Sequence, residues 1–446
     1  MNKGRAWVAW AIAVIYLCAL YFLLFQCHQK QGDRIVLGFS VAFSAASLLA
    51  FKGALFSRQL RCLPFLAALL PIFSVPMLSD DVYRFLWDGY LLLDGYDPFA
   101  KVPSELIQSL EEQSYHQLYP RLNSPNYHSV YPPVCQLLFL IAAFLERMGA
   151  NAIMVMKIFY SAIHLIALML FRKSALGRRY PGFYLAYGLN PLVVVEGIGN
   201  LHAEPLMVAF LILAAVWFER KKMVGSALFF ALAVSTKLLP LMFLPMLFFW
   251  KFKEQKRWFV FIALFCLLLF VPFFITFASG GFFQSIDLYY RKFEFNAGLY
   301  YLLRFVGQWA TGYNLIRWLG PGLALLALST ILYLSINVNK WLEKGYALAE
   351  VGLWILLAYL FSLTTLHPWY LILPLAVSLC TRYISIWIWS YLITWTYQSY
   401  QITAFAENYA LIFLEYAVLT CILVWEFNVF LKENHNRLFT EKKSEN

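Results

Sequence analysis

The segment CLPFLAALLPIFSVPMLSDDVYRFLWDG, residues 62–89, joins an apolar run to a group of acidic and aromatic side chains. Residues 62–78 carry almost no polar side chains, whereas residues 79–97 contain five aspartates and one arginine. Ionisable groups at or near membrane depth are costly and tend to mark function. The segment therefore predicts a membrane span that leads directly into a functional loop.

A helix is predicted to begin at Ser79 and to stop near Gly95. If Ser79 caps this helix, Asp80 and Asp81 fall in its first turn, where exposed N–H groups and the helix dipole favour ionised carboxylates. Gly95 suits a left-handed C-terminal stop. Asp80 and Asp81 would then lie side by side at the same helix end. The alternative to a functional site is a helix on the membrane surface whose acidic first turn is simply solvated.

The same helix presents a polar stripe, because Asp80, Arg84 and Asp88 recur at a spacing of four residues. Trp87 lies beside this stripe in the sequence. We therefore treat Arg84, Trp87 and Asp88 as residues that support the site rather than as reacting groups.

Composition indicates an all-α polytopic membrane protein. The chain has 446 residues, of which 62% are hydrophobic and only 13% charged. Its apolar runs repeatedly reach the roughly 17–25 residues that span a hydrocarbon core. One transmembrane domain is expected over residues 1–431, with a cytoplasmic tail over 432–446.

The charge and the cysteines exclude other classes. The net charge of +11 arises from basic residues clustered in short loops, as the positive-inside rule expects, so no nucleic-acid partner is predicted. The seven cysteines lie mostly in apolar runs and form no CxxC pair, which argues against a disulfide framework and a zinc site.

The basic loops also predict the topology. They place the N-terminus in the cytoplasm and residues 79–133 outside, as a long loop with two short surface helices. Residues 134–145 are short for a span, and a full crossing there would invert every later segment. We therefore expect a re-entrant or outer-surface helix at 134–145, with a full span as the alternative.

Residues 223–250 have basic loops on both sides and are predicted to form a hairpin broken near Thr236, Lys237 and Pro240. A lysine at this depth either snorkels toward water or faces a protein-lined cavity and pairs with a lipid phosphate. Both interpretations of Lys237 remain open on the sequence alone.

With this topology every unusual polar cluster falls on the non-cytoplasmic side. The clusters are residues 79–97, 131–133, 199–204, 293–296, 367–370 and 407–409. This convergence predicts one extracytoplasmic active site. Glycine-rich phosphate loops and nucleotide-binding patterns are missing from the sequence, which argues against a soluble nucleotide-sugar site.

Five motifs together resemble a known family: SDDVYRFLWDG, NPLVVVEGIGNLHAE, STKLLPL, FEFNAGLYYLLR and LHPWYLILPL. Across about residues 62–409 the chain resembles the bacterial mannosyltransferase-like branch of the GT-C superfamily. The resemblance implies a GT-C-type bundle of roughly 11–14 spans. It also implies an inverting glycosyltransferase that takes a hexose, mannose favoured, from a polyprenyl-phosphate donor on the non-cytoplasmic face.

The family places a catalytic acid at the start of its first long outer loop, and Asp80 matches that position best, with Asp81 as a second acid. The two acids are adjacent here rather than separated as in the D-x-D of eukaryotic relatives. A divalent metal, Mn²⁺ or Mg²⁺, is therefore only a possible cofactor. If one binds, Asp81 is the residue expected to coordinate it. His202 and Glu204 alone give a weak metal signal.

The remaining expectations concern the donor, the acceptor and the membrane. A departing lipid phosphate needs positive charge or hydrogen-bond donors. The predicted donor-phosphate residues are Lys237, His367, Arg291 and Arg304; the predicted supporting residues are Arg84, Trp87, Asp88, His202, Glu204, Asn296 and Tyr370.

Expected partners are a polyprenyl-phosphate sugar, a glycan, lipid or protein acceptor, and membrane lipids of a bacterial inner membrane. The alternatives are a flippase of a lipid-linked saccharide, or a ligase or polymerase with a pyrophosphate-linked donor.

Overall fold

A computed structural model describes residues 3–51, 58–276, 293–401 and 405–444 of the chain. Over these ranges the backbone is helical apart from connections, and strand-like pairing is confined to an isolated bridge between Phe295 and Thr365. The predicted all-α class is therefore confirmed.

The first half of the chain is a series of long and short helices. They are α1 (Lys3–Phe25), α2 (Gly32–Phe51), α3 (Leu63–Leu69), α4 (Asp81–Leu93), α5 (Pro103–Leu106), α6 (Gln113–Leu118), α7 (Pro133–Arg147), α8 (Ala152–Lys173), α9 (Ala175–Arg179), α10 (Phe183–Leu189), the π-helix Leu192–Gly199 and α11 (Glu204–Glu219).

The second half continues in the same manner. Its helices are α12 (Met223–Thr236), α13 (Leu244–Thr276), α14 (Gly298–Thr311), α15 (Ile316–Ile336), α16 (Val338–Glu343), α17 (Leu348–Phe361), α18 (Ile372–Ser378), α19 (Ser385–Leu392) and α20 (Tyr409–Ser444).

Several of these helices are long and apolar enough to cross a membrane. Within the described ranges five helices meet that test, and a sixth span results if the π-helix Leu192–Gly199 and α11, bent by 109°, are counted as one. The five are Trp7–Phe25, Gly32–Phe51, Ala152–Lys173, Ile316–Ile336 and Tyr409–Phe430. The polytopic class is confirmed, and the count of roughly 11–14 spans stays a prediction.

Proline explains why other predicted spans are broken into shorter pieces. Pro71, Pro240 and Pro368 each lie at the start of a 3₁₀ helix, in Leu70–Phe73, Leu239–Phe243 and Pro368–Leu371. Proline has no N–H to donate and its ring clashes with the preceding turn, so it tends to kink or end an α-helix. Irregular backbone of this kind is tolerated at membrane depth where protein surrounds it.

The predicted loop 79–133 holds α4 and the short helices α5 and α6. Helix α4 starts one residue later than expected, with Asp80 at the cap position, while the Ser79 hydroxyl accepts a hydrogen bond from the Asp81 N–H at 3.3 Å. Gly95, at φ +81°, ends it as predicted.

Helix α7 occupies the segment whose path was left open. It packs against α4, and a Cβ at Gly89 would come within 2.5 Å of the Phe139 carbonyl oxygen, so only glycine permits this approach. The segment is thus a helix of 15 residues that contacts α4, the helix that carries the aspartates of the 79–133 loop. Its surface or re-entrant path stays a prediction.

The broken hairpin is present where it was predicted. Helices α11, α12 and α13 pack against one another in sequence, and α12 ends at Thr236. Lys237 then has an extended backbone, with φ −158° and ψ 137°, before the 3₁₀ helix that contains Pro240. The break sets the Lys237 side chain at the junction of these elements.

Candidate active site

Residues that are distant in sequence meet at the start of α4. The structure brings together Asp81, His202, Glu204, Lys237 and His367, through direct contacts or through shared aromatic neighbours. They come from helix ends and from the connections between helices, namely 200–203, the break after α12 and the segment before Pro368. Members of three of the predicted clusters, 79–97, 199–204 and 367–370, thus lie together with Lys237, while their placement on the non-cytoplasmic side stays a prediction.

The two adjacent aspartates face different surroundings. The side chain of Asp81 is 24% exposed, and its Oδ2 lies 3.8 Å from His202 Nδ1. Its Oδ1 accepts a hydrogen bond of 2.7 Å from Asn123 Nδ2. Asp81 is therefore the aspartate that points into the group formed by His202 and its neighbours.

Asp80 is exposed and makes no side-chain capping hydrogen bond. Desolvation of its carboxyl group raises the pKa of Asp80, while the nearby His28 and Lys30 side chains act in the opposite direction. These two neighbours belong to the α1–α2 connection, so Asp80 looks away from His202 and Lys237.

His202 is held by an unusual backbone and by ring stacking. The preceding residue, Leu201, has φ +62°, a left-handed conformation that is rare for a residue other than glycine and clusters at functional sites. The His202 ring stacks on Trp369 with centroids 3.5 Å apart, and Trp369 also stacks with His367 at 4.5 Å. The imidazole of His202 is therefore fixed in orientation.

His367 is a partly buried histidine whose surroundings favour the neutral ring. Its ring also stacks with Phe295 at 4.8 Å. Desolvation lowers the pKa of His367 to about 3, and the neighbouring His202 and the positive charge of Lys237 act in the same direction. A neutral imidazole can donate through one ring nitrogen, which fits the predicted role of a hydrogen-bond donor to a phosphate.

Lys237 does not extend alone toward water. Its ammonium group forms an ion pair with the buried Glu204, and it lies 4.4 Å above the centre of the Tyr370 ring. The side chain is still 29% exposed. An ammonium has three donors, so this pairing leaves capacity for a further anion.

Two residues of this site were missed at the sequence level. Glu196, in the π-helix, is fully buried, and its Oε2 lies 3.4 Å from His202 Nε2. Tyr397 donates its hydroxyl hydrogen to Glu196 Oε1. A glutamate inside the apolar run NPLVVVEGIG was the available signal, because a carboxyl group at membrane depth tends to mark function.

Arg84, Asp88 and Trp87 build the loop rather than the reacting centre. Arg84 Nε bonds to Asp88 Oδ1 at 2.8 Å, and an Arg84 amino group donates to the Tyr127 carbonyl oxygen at 2.8 Å. Gln136 donates to Asp88 Oδ2 at 3.0 Å, while Trp87 packs in a separate apolar cluster. This network ties residues 124–129 to α4.

Arg304 and Asn296 form a second polar group near α14 and α20. Arg304 pairs with Glu294 and donates to the Tyr409 hydroxyl at 3.0 Å. The Asn296 N–H donates to Glu407 at 2.6 Å. Phe295, the residue before Asn296, connects this second group to the site at the start of α4, because its ring stacks on His367. Arg291 lies outside the described residues.

The described residues do not assemble a metal site. No group of three or more His, Cys, Asp or Glu side chains within these ranges has the geometry to hold an ion. Asp81 has one histidine and one asparagine at its oxygens instead. The described residues around Asp81 therefore do not supply the set of ligands that Mn²⁺ or Mg²⁺ would need, and the proposed reaction uses no metal ion.

The fold and this site define a class: an all-α integral membrane protein with a polar, partly buried centre built from helix ends. Residues 35–252 match the family model described as "Alpha-(1->6)-mannopyranosyltransferase, N-terminal domain". That match, with the relatives below, confirms the resemblance to the mannosyltransferase-like branch of the GT-C superfamily.

Two curated relatives carry the same printed name, Alpha-(1->6)-mannopyranosyltransferase A. The chain is 25% identical to the Corynebacterium glutamicum protein over 179 residues, which is 39% of this chain and 35% of the relative. It is 25% identical to the Mycobacterium tuberculosis protein over 368 residues, 74% of this chain and 66% of the relative. The chain thus spans less than two thirds of either relative. No solved structure matches it.

Proposed function

We propose that the protein is an inverting mannosyltransferase. In this proposal it moves mannose from a polyprenyl-phosphate donor to an acceptor hydroxyl on the non-cytoplasmic face of a bacterial inner membrane. The observation that carries the proposal is the placement of the Asp81 carboxylate beside His202, with Lys237 bound to Glu204 in the same group. The printed names of the two relatives support mannose as the sugar and the 6-hydroxyl of a glycan as the acceptor.

Asp81 is the proposed general base. Inversion requires a base on the face of the sugar opposite the leaving group, within hydrogen-bond reach of the acceptor hydroxyl. A carboxylate has about four lone-pair positions, so the contacts of Asp81 with Asn123 and His202 leave room for the acceptor. The acceptor oxygen bonds to the anomeric carbon, its proton passes to Asp81, and the bond from that carbon to the phosphate oxygen breaks.

Lys237 is the proposed partner of the departing phosphate. Charge-assisted hydrogen bonds to developing negative charge are worth more in a site shielded from water. Its exposed fraction, its ring contact with Tyr370 and the nearby neutral His367 support this role. Arg304 and Arg291 remain proposed contributors of lower rank, since Arg304 already pairs with Glu294.

The test is a transfer assay on the full chain in proteoliposomes. Radiolabelled mannosyl-polyprenyl phosphate and a short mannose oligosaccharide are supplied, with a nucleotide-activated mannose as the alternative donor. We expect transfer from the lipid donor only, and loss of transfer in Asp81→Asn. Transfer from the nucleotide donor alone, or movement of intact lipid-linked sugar across the bilayer without transfer, would overturn the proposal.

A further inference from the structure

Glu196 and Asp81 lie on opposite nitrogens of the same imidazole ring. His202 Nδ1 is 3.8 Å from Asp81 Oδ2, and His202 Nε2 is 3.4 Å from Glu196 Oε2. Glu196 Oε2 and His202 Nε2 are buried and face each other, and neither makes a hydrogen bond with any described residue. The ring therefore links a fully buried carboxyl group to the partly exposed one.

We propose that Glu196 and His202 are positioning residues for Asp81. The two residues share one proton, and this arrangement keeps an N–H on His202 Nδ1 directed at Asp81 Oδ2. The inference rests on the proposed function, because it assigns the residues that prepare the proposed base.

The shared proton gives the same result in either of its two positions. If Glu196 carries it, the acid donates to Nε2, and a neutral ring must then hold its own proton on Nδ1. If His202 carries it, both ring nitrogens are donors, and Nδ1 again presents an N–H to Asp81. Burial lowers the pKa of His202 to about 4, opposed by the carboxylates of Asp81 and Glu204, which favours the neutral ring.

Contacts on the outer side of both carboxyl groups complete the arrangement. Tyr397 donates to Glu196 Oε1, and Asn123 donates to Asp81 Oδ1. The Asp81 carboxylate is therefore hydrogen-bonded at Oδ1, whereas His202 Nδ1, 3.8 Å away, acts on Oδ2 through the direction of its N–H dipole. The charged and titratable groups that face His202 are Asp81, Glu196, Glu204, Lys237 and His367.

A purely structural role explains these contacts poorly. A buried polar pair in a membrane protein is costly, and apolar residues of similar volume are often equally or more stabilising. The left-handed backbone of Leu201, at φ +62°, adds a further cost in strain. Strain and buried charge that meet on one imidazole are typical of a site in which orientation of a reacting group matters.

The first experiment compares Glu196→Gln with Glu350→Gln. Glu350 is a second buried carboxylate, paired with Arg382 at 2.6 Å on another part of the bundle. Glutamine at 196 keeps the shape, but its amide can turn either its N–H or its oxygen toward Nε2, so the ring proton is no longer confined to Nδ1. We expect kcat to fall about tenfold or more, a smaller loss than the ~10²–10⁴-fold loss that follows removal of a general base. The KM for the donor should stay unchanged. The Glu350→Gln variant should match the wild type.

The second experiment is a double-mutant cycle on the same assay. In an Asp81→Asn background, Glu196→Gln should cause no further loss, because residues that act through one group are non-additive. His202→Asn keeps a donor near the Nδ1 position and should retain more activity than His202→Gln. Asparagine has no counterpart of Nε2, so Glu196→Gln should also have little effect in the His202→Asn variant.

The outcomes separate this inference from the proposed function. If the wild type transfers mannose and the losses from Asp81→Asn and Glu196→Gln simply multiply, Glu196 does not act through Asp81 and the inference is overturned. An equal loss in Glu350→Gln overturns it as well. If the wild type transfers no mannose from the lipid donor, the proposed function itself fails.

Discussion

The ammonium group of Lys157 donates hydrogen bonds to the carbonyl oxygen of Ser74 at 2.7 Å and to the Ser74 hydroxyl at 2.9 Å. Lys157 is a fully buried lysine of α8, and no carboxylate pairs with it among the described residues. Ser74 ends the 3₁₀ helix Leu70–Phe73, where a carbonyl would otherwise lack a donor. This contact therefore fixes the start of the segment that leads to the aspartates.

A second contact fixes the other end of the same segment. The Leu78 N–H donates to Asn200 Oδ1 at 3.1 Å, and Asn200 Nδ2 donates to the Val195 carbonyl oxygen at 3.0 Å. Asn200 thereby connects residue 78 to the π-helix that carries Glu196. The segment 74–78 is held between α8 and the π-helix, one residue before Ser79.

The first prediction is that Lys157→Met damages both stability and catalysis. The change leaves the Ser74 carbonyl oxygen without its donor, which should cost roughly 1–3 kcal/mol in the free energy of unfolding. Since the segment leads to Asp81, kcat should fall more than donor KM rises. Thermal unfolding in detergent and steady-state transfer are the two measurements.

The control for this prediction is Ser74→Ala, which removes the hydroxyl that contacts Lys157 and the Pro71 carbonyl oxygen but keeps the contact of Lys157 with the Ser74 carbonyl oxygen. It should show a smaller loss in both measurements. A Lys157→Met variant with wild-type kcat would show that the lysine does not position the aspartates.

The sequence was sufficient to locate the breaks and most of the site. Pro240 predicts the interruption at Lys237, and Gly95 predicts the end of α4, because both residues act through local backbone constraints. The alternating basic loops predicted that Asp81, His202, Lys237 and His367 would meet, since they lie at helix ends assigned to one side.

The sequence favoured Asp80 as the catalytic acid, whereas in the structure Asp81 is the aspartate that faces His202. On a helix, adjacent residues point about 100° apart, since 3.6 residues make one turn. A shift of one residue in the helix start therefore changes which carboxylate faces His202. That start depends on the backbone at Asp80 and on contacts of the preceding segment with Lys157 and Asn200, which are distant in sequence.

Glu196 and Lys157 were missed for a related reason. Each is a single ionisable residue inside a long apolar run, and periodicity does not reveal which partner a buried side chain finds. Their partners, His202 and Ser74, come from other helices. The rule that ionisable residues in spans deserve a functional hypothesis would have selected both.

The second prediction concerns Lys237. Lys237→Met alone would leave the buried Glu204 as an uncompensated charge, so a loss of folding could hide the kinetic effect. The double variant Lys237→Met/Glu204→Gln removes both charges. We expect its kcat/KM for the lipid donor to fall about 10- to 150-fold, the equivalent of roughly 1.5–3 kcal/mol for a charge-assisted phosphate contact.

Lys237→Arg is the matched control, because it keeps the positive charge and the ion pair. Its donor kinetics should lie between those of the wild type and the double variant. If the double variant folds and its donor kinetics equal those of the wild type, Lys237 only neutralises Glu204.

The third prediction is topological, and it follows from the exposure of loop residues. Glu111 in the 79–133 loop, Asn408 before α20 and Arg220 after α11 are all exposed. In a background without the exposed native Cys18, Cys62 and Cys421, a single cysteine is introduced at each position. An impermeant thiol reagent on intact cells should label positions 111 and 408 at once.

Position 220 should react only after the membrane is permeabilised, because it belongs to a basic loop predicted to be cytoplasmic. Buried positions such as His202 are unsuitable for this experiment, since a reagent cannot reach them. Labelling of position 220 in intact cells together with position 111 would show that α7 crosses the membrane fully.

The fourth prediction separates the two aspartates. Asp81→Asn keeps the shape of the side chain and its contact with Asn123, but loses the charge that accepts the proton. We expect transfer to fall by ~10²–10⁴ while binding of the lipid donor persists. The transfer rate of the Asp80→Asn variant should fall much less, because Asp80 is exposed and faces His28 and Lys30 rather than His202.

Donor binding must be measured separately, for example by equilibrium binding of the labelled lipid to protein at matched expression. This separates loss of the base, which lowers kcat, from loss of a phosphate contact, which weakens binding. A dead Asp80→Asn enzyme beside an active Asp81→Asn enzyme would move the base one residue toward the N-terminus and leave the mechanism intact. Normal transfer by both variants would remove this loop from the chemistry altogether, since no other carboxylate of the described site combines partial exposure with a contact to His202.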